Sequence, residues 1–117
     1  MIKMKETLNV KVKGTSFRQN FLQFARKCDK FWCECRRQKK NDADPNAIIV
    51  WAVCVYKGAI KTVPVGYIPK ELAAELAPIM DNGAKLYCNT AHITGGTNKY
   101  LCGLNIAVTP YMPANNR

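Results

Sequence analysis

Acidic residues, histidines and long apolar runs are all scarce in this sequence. No apolar stretch approaches the ~18 residues that a membrane-spanning helix needs. Charged and apolar side chains alternate through the first residues, MIKMKETLNVKVKG, where a signal peptide would have a continuous apolar region. We therefore expect a cytoplasmic protein with no membrane association. In a reducing compartment its six cysteines should be thiols.

The single histidine, His92, gives an enzymatic interpretation little support. It lies in a predicted strand among apolar neighbours, and no nucleophile is paired with it in sequence, so we interpret it as structural. The stretch GGTNK lacks the spacing and ending of a phosphate-binding loop. The cysteines at positions 28, 33 and 35 lack the paired spacing of zinc ligands. We predict a non-catalytic protein without metal or cofactor.

Basic residues are abundant, with 18 Lys and Arg against eight Asp and Glu, for a net charge of +10. Nearly all of the excess falls in residues 1–40, which hold twelve basic and three acidic side chains. Such an excess attracts polyanions such as nucleic acid, but it also keeps a small domain soluble. Charge alone does not separate these two interpretations.

The chain length of 117 residues is typical of one domain, and we expect a single domain over 1–117 with its core at about 8–110. Hydrophobic periodicity predicts the order strand, helix, three strands, helix, two strands. The expected strands are 8–12, 31–36, 48–56, 62–68, 84–94 and 100–109, and the expected helices are 21–25 and 69–83. This order fits the α+β class, with a small β-barrel or a strongly curved sheet and two helices.

Several local features refine this prediction. The segment GTSFRQN, residues 14–20, is expected to be a loop. Pro64 and Gly66 indicate a sheet edge or a bulge. Pro69 suits the first position of the second helix, and Pro78 is expected to kink or divide that helix. Lys70 lies in the first turn, where a cation opposes the helix dipole but would favour a bound phosphate.

Two motifs together resemble the HIRAN domain: DPNAI at residues 44–48 and VGYIPKELAAELAPIMDNG at residues 65–83. The resemblance extends over roughly 8–110 and includes the early glycine of GTSFRQN. HIRAN domains occur fused to Swi2/Snf2-type DNA-remodelling ATPases and also alone in bacteria and phages, and this chain is similar to the stand-alone type. The resemblance implies a small OB-like β-barrel of about six strands with two short helices.

The same resemblance implies a function in DNA repair or replication-fork processing. The module would bind single-stranded DNA and capture its free 3′-hydroxyl end. A separate Swi2/Snf2-type ATPase or nuclease is a further expected partner. The family's stacking aromatic corresponds to Phe17, and Ser16 and Arg18 occupy positions where the family uses arginine and tyrosine.

The remaining family positions fall later in the chain. Asp44 corresponds to the acid that hydrogen-bonds the terminal hydroxyl, and Tyr67 to a contact with phosphate or base. Lys70 matches the phosphate-binding lysine, and Tyr100 the aromatic that stacks on the terminal base. Ala43 replaces an aromatic that commonly precedes the acid. That replacement favours an alternative, a protein-interaction or host-modulating domain that keeps the fold without the DNA-end pocket.

Overall fold

A computed structural model describes residues 2–97 and 100–114. Six strands form: Leu8–Lys11 (β1), Lys30–Arg37 (β2), Ile48–Tyr56 (β3), Ala59–Tyr67 (β4), Lys85–Thr94 (β5) and Gly103–Tyr111 (β6). The two α-helices are Gln19–Ala25 (α1) and Lys70–Asp81 (α2), and a short 3-10 helix, Thr15–Arg18, precedes α1. The predicted element order and the α+β class are confirmed.

The strands form two antiparallel three-stranded sheets, in the orders β1-β6-β5 and β2-β3-β4. A two-way backbone bridge between Lys13 and Tyr67, with both N–H···O distances 2.8 Å, joins the β1 and β4 sides of the sheets. In the part of the chain that the structure describes, β2 and β5 come close to each other but form no hydrogen-bonded ladder, and residues of both strands line an open cleft of about 790 Å³. A bulge in β5 between Cys88 and Thr90 bends that edge. Within the described residues the expected barrel is therefore not closed, and the OB-like description holds only in part.

The core lies between the two sheets. β3 is the central strand of its sheet, which explains why its sequence is continuously apolar. β4 lies at an edge, and Val65 lies opposite a break in the register with β3, so the expectation of an edge or bulge from Pro64 and Gly66 is confirmed. The largest fully buried side chains are Leu22, Ile48, Leu76, Leu104, Val50, Val65, Val108, Pro110, Cys54 and Cys102.

The loop predicted over residues 14–20 is wrong, because this segment is helical from Thr15 onward. Gly14 has a left-handed backbone (φ 86°), which turns the chain out of the first strand. The Gln19 amide then donates to the carbonyl oxygens of Thr15 and Cys102, at 2.9 and 3.0 Å, and accepts from the Cys102 N–H at 2.7 Å. These contacts with a residue 83 positions away stabilise a helical turn that local composition does not predict.

α2 also departs from its prediction. Pro69 precedes the helix with an extended backbone (φ −52°, ψ 141°) instead of taking its first position. The helix runs unbroken through Pro78, so the expected division is wrong. Proline at this position forgoes a single helix bond, the one that an N–H would donate to the Ala74 carbonyl, and the helix ends three residues later. β6 begins at Gly103, three residues after the predicted start at Tyr100.

The histidine and the cysteines differ in burial, and three of the cysteines lie in the core. His92 is exposed on β5, so its interpretation as a structural histidine is wrong. All six cysteines are free thiols, and burial raises the pKa of Cys35 to about 12, so that it stays protonated at neutral pH. Among the described residues no group of His, Cys, Asp and Glu is arranged to hold a metal ion. Neither described helix is long and apolar enough to cross a bilayer.

Candidate nucleic-acid interface

An unburied aromatic ring marks the candidate interface. Phe17 is 84% exposed, the highest value among the exposed large hydrophobic residues. The 3-10 helix presents it, and the Phe17 N–H donates to the Gly14 carbonyl at 3.3 Å. Beside it, Arg18 Nε donates to the Pro64 carbonyl at 2.7 Å, which fixes the guanidinium against β4. An exposed ring next to an anchored cation is the pairing that single-strand binders use.

Phe17 and Arg18 form one wall of an open groove of about 400 Å³, called here the Tyr67 groove. Its lining residues are Gly14, Phe17, Arg18, Ile49, Pro64, Val65, Gly66 and Tyr67. Gly66 is required at the bottom, because a Cβ there would clash with the Lys13 carbonyl oxygen and lie 2.6 Å from Val12 Cγ1. The close crossing of two backbones thus brings Tyr67 next to the 3-10 helix.

A hydrogen-bonded network connects the Tyr67 groove to the segment that carries Asp44. Tyr67 Oη donates to Gln38 Oε1 at 2.8 Å, and Asn41 Nδ2 donates to the same oxygen at 2.9 Å. Asn41 Oδ1 then accepts from the Asp44 N–H at 3.0 Å. Tyr67 and Asp44, distant in sequence, are therefore linked through two amide side chains.

Hydrogen bonds to residues before and after Asp44 fix the conformation of this segment. Asp44 Oδ1 accepts from the Asn46 N–H at 2.9 Å, which makes a local turn, and the Ala47 N–H donates to the Asp44 carbonyl at 3.0 Å. The side chain is half-buried. A carboxylate offers about four lone-pair sites on its two oxygens, so this turn leaves acceptor capacity for a ligand hydroxyl.

Arg37 fastens the end of this loop to α2. Its guanidinium donates to the carbonyls of Ala47 and Pro45 at 2.8 and 3.0 Å. It also makes a two-point contact with the Asp81 carboxylate, at 2.9 and 3.2 Å. Hydrogen bonding to Arg37 holds the pKa of Asp81 below its ordinary value of 3.8. The segment after Asp44 is thereby fixed to the end of the second helix.

Lys70 is exposed as the first residue of α2, three positions after Tyr67. Within the described residues no side chain caps this helix terminus. The N–H groups of the first turn therefore have no partner among the described side chains, and the exposed Lys70 belongs to the same turn. This combination suits an anionic ligand such as a phosphate.

A second open groove, of about 480 Å³, lies against Phe17 and is called here the Lys61 groove. Its lining residues are Ser16, Phe17, Arg18, Gln19, Asn20, Phe21, Lys61 and Val63. Ser16 therefore belongs to this groove and not to the lining of the Tyr67 groove. Phe17 and Arg18 are shared by both.

Tyr100 is 65% exposed in the segment that leads to β6. Its carbonyl accepts from the Gly96 N–H at 3.0 Å, and Gln23 donates to the Gly96 carbonyl at 2.9 Å. Arg26 donates to the Gly95 carbonyl as well. This loop is thus attached toward the C-terminal end of α1. Among the described residues Tyr100 is not part of the lining of either groove.

The structure thus brings together Phe17, Arg18 and Tyr67, and hydrogen bonds link Asp44 to them. Several residues of this interface are not predicted from the sequence, among them Gln38, Arg37 and Lys61. The first two lie in the polar run RRQKKNDADPN, whose composition is typical of a solvated turn. Lys61 carries no motif, and its exposure on an edge strand is the one pattern that could have indicated it.

Comparison with known proteins identifies the family. The family model for the HIRAN domain matches residues 5–112, which is most of the chain. No curated protein and no solved structure matches this chain. HIRAN domains are generally DNA-binding modules, in agreement with the basic charge and the exposed aromatic ring. The chain belongs to the HIRAN domain family.

Proposed function

We propose that this protein is a non-catalytic module that binds single-stranded DNA at its free 3′-hydroxyl end, in DNA repair or replication-fork processing. The observation that carries the proposal is the 84% exposed Phe17 beside the anchored Arg18. Both residues line a groove whose Tyr67 is hydrogen-bonded toward Asp44. The aromatic ring and the fixed cation line one groove, and hydrogen bonds lead from the Tyr67 of that groove to Asp44, the proposed hydroxyl acceptor.

Each residue has a distinct role in this proposal. A base stacks on Phe17, an interaction worth roughly 1–3 kcal/mol per base in single-strand binders. Arg18 and Lys70 bind phosphates, and Tyr67 contacts the nucleotide that lies in its groove. Ser16 contacts the strand from the Lys61 groove. Tyr100 stacks on a base if the strand reaches the loop attached to α1.

Asp44 would act as a filter for the chain end. Its carboxylate can accept a hydrogen bond from a 3′-hydroxyl, whereas a terminal phosphate would bring negative charge against it. The hydrogen bonds of Asn41, Asn46 and Arg37 around this segment keep the carboxylate in one position. A fixed acceptor needs less ordering on binding than a mobile one, and it cannot turn away from a terminal phosphate, so the repulsion remains.

The test compares one short oligonucleotide with a 3′-hydroxyl and with a 3′-phosphate by fluorescence anisotropy. We expect the hydroxyl form to bind more tightly. Asp44→Asn keeps an oxygen for the local turn but removes the charge, so it should abolish most of the discrimination. Asp42→Asn is the matched control, because Asp42 is an exposed aspartate two residues away. Equal affinities of the unmodified protein for both ends would remove the role of Asp44.

A charge reversal at Lys70 tests the phosphate contact separately. Lys70→Glu should weaken binding to both oligonucleotides alike. Lys85→Glu provides the control, since Lys85 is also exposed but lines the cleft between β2 and β5. If Lys70→Glu bound DNA as tightly as the unchanged protein, the proposed phosphate site at α2 would be wrong.

A second function, docking of a Swi2/Snf2-type ATPase or a nuclease, is favoured by a different surface. The cleft between β2 and β5 has exposed aromatic residues at its rim, with Trp32 39% and Tyr87 58% exposed. Aromatic side chains are enriched in protein interfaces. Tyr87→Ser should reduce recovery of such a partner from nuclease-treated extract while DNA binding persists. Unchanged recovery would exclude this cleft as the docking surface.

A further inference from the structure

The position of Phe17 between two grooves has a consequence for the length of DNA that the protein contacts. Its ring lines the Tyr67 groove of about 400 Å³ and also the Lys61 groove of about 480 Å³. A phenyl ring with one face packed against the protein could contact a ligand in one groove only. The 84% exposure of this side chain leaves surface for a base on each side.

The two grooves differ in chemistry. The Tyr67 groove is formed largely by apolar and backbone groups, including Ile49, Pro64 and Val65. The Lys61 groove instead has polar and charged side chains, among them Ser16, Asn20 and Lys61. An apolar groove suits the flat face of a base, and a polar, cationic groove suits a sugar and phosphate as well.

Lys61 is held in place at this groove. Its ammonium lies 5.6 Å from the centre of the Phe24 ring, within the range of a cation–π interaction. Phe24 in turn packs edge-on against Tyr56, with ring centres 5.4 Å apart. The contact restrains a long side chain that would otherwise lose rotamer entropy on binding a phosphate.

The location of Asp44 sets the direction of the strand. Hydrogen bonds through Asn41 and Gln38 connect the Asp44 backbone to Tyr67, so a nucleotide whose 3′ end is bound at Asp44 would lie next to the Tyr67 groove. The strand must then leave in its 5′ direction past Phe17. Arg18 lines both grooves and is anchored to the Pro64 carbonyl, which suits it to the phosphate between the two nucleotides.

We infer that the Lys61 groove is a second nucleotide subsite, which binds the penultimate nucleotide of a DNA strand through Lys61 and Asn20. Phe17 then stacks between the last two bases. This inference depends on the proposed binding of single-stranded 3′ ends. It adds Lys61 and Asn20, two residues to which the family resemblance assigns no role.

The experiment is an abasic scan of a hexanucleotide with a 3′-hydroxyl. Removing the last or the penultimate base should each weaken binding several-fold, and removing the base at the 5′ end should have little effect. In Phe17→Ala both sensitivities should largely disappear, because both bases lose the same platform. A sensitivity at the terminal base alone would overturn the inference and leave the proposed function standing.

Lys61→Ala tests the subsite itself. It should weaken hexanucleotide binding by roughly tenfold, as expected for one charged contact, while a 3′-terminal mononucleotide should bind as before. Lys30→Ala is the matched control, because Lys30 is an exposed lysine at the other edge of the same sheet. Equal weakening by both variants would indicate general charge attraction and overturn the subsite. Absence of any DNA binding by the unchanged protein would overturn both the subsite and the proposed function.

Discussion

Gly66 is the position where one missing side chain permits the arrangement of the Tyr67 groove. A Cβ added there would clash with the Lys13 carbonyl and approach Val12 Cγ1 to 2.6 Å. Gly66→Ala should therefore lower the free energy of unfolding by about 1–3 kcal/mol, the usual cost of forcing extra atoms into a packed site. Urea denaturation followed by circular dichroism measures this change.

Gly58→Ala is the appropriate comparison for Gly66→Ala. Gly58 has φ 80°, so alanine is strained there, but no atom lies within 4 Å of the added Cβ. Its cost should be about 1 kcal/mol, from the left-handed backbone alone. If Gly58→Ala proved more destabilising than Gly66→Ala, the close crossing of Lys13 and Gly66 would not be the tightly packed site described above.

Asp81 makes a prediction about pH. The Arg37 guanidinium lowers the pKa of the folded carboxyl below 3.8, the ordinary value. A depressed folded pKa contributes stability that is present above the unfolded value and is lost as pH falls through the folded one. The Arg37–Asp81 contact should thus persist at neutral pH and weaken below about pH 4.

The measurement is an NMR titration of the Asp81 carboxyl. Arg37→Gln should raise the pKa of Asp81 toward its ordinary value, since the charged donor is lost. Glu34, whose pKa is lowered mainly by its hydrogen bond with Arg36, should titrate unchanged and serves as the control. The same variant removes the side-chain hydrogen bonds to the Pro45 and Ala47 carbonyls, and among the described residues only Ala47 keeps a backbone donor, the Gln38 N–H, so discrimination between 3′-hydroxyl and 3′-phosphate ends should decrease. An unshifted Asp81 would contradict the assigned cause.

At the scale of elements, Pro78 is a helix-breaking residue that nevertheless lies inside a continuous helix. It lies inside α2, where proline lacks the N–H that would bond to the carbonyl of Ala74. Proline in a helix interior costs ~3 kcal/mol relative to alanine, whereas its restriction of the unfolded chain returns ~0.4–1 kcal/mol. Because Pro78 is near the helix end, Pro78→Ala should stabilise the protein by a smaller net amount, about 1 kcal/mol. A thermal denaturation scan gives the sign, and a lower melting temperature would contradict it.

The elements also differ in how far the sequence predicts them. Strand β3 is predicted with its observed bounds, because a continuous apolar, β-branched-rich run is typical of a strand buried on both faces. The 3-10 helix at Thr15–Arg18 is not predicted, because the bonds that stabilise the following turn join Gln19 to Cys102, far along the chain. Long-range hydrogen bonds leave no periodic pattern in a sequence.

The site follows the same distinction. Phe17 and Lys70 could be identified by their motif positions, and Phe17 is indeed exposed at a groove. Gln38 and Arg37 could not, since their roles depend on the folded path that brings Tyr67, Ala47 and Asp81 to them. The hydrophobic pattern could not predict whether the barrel closes either, because the order of strands along the chain does not determine whether β2 and β5 pair.

At the scale of the whole molecule, the fold places part of the positive charge, which is +10 in total, beside the two grooves. Three exposed cations surround Phe17 or follow Tyr67: Arg18, Lys61 and Lys70. If each neutralises one phosphate, the logarithm of the affinity should fall with the logarithm of salt concentration with a slope of about −2, at ~0.7 per contact for single strands. Raising salt fourfold would then weaken binding by roughly 20-fold.

A salt titration of variants separates located charge from general charge. Lys70→Ala should reduce the slope by ~0.7, and Lys61→Ala should do the same on a hexanucleotide, because each removes one phosphate contact. Lys30→Ala lowers the net charge equally, but Lys30 lies on the edge strand β2 and lines neither groove. Its slope should remain that of the unchanged protein. If all three variants changed the slope alike, DNA would be attracted by the total charge, and the two grooves would have no special part in binding phosphates.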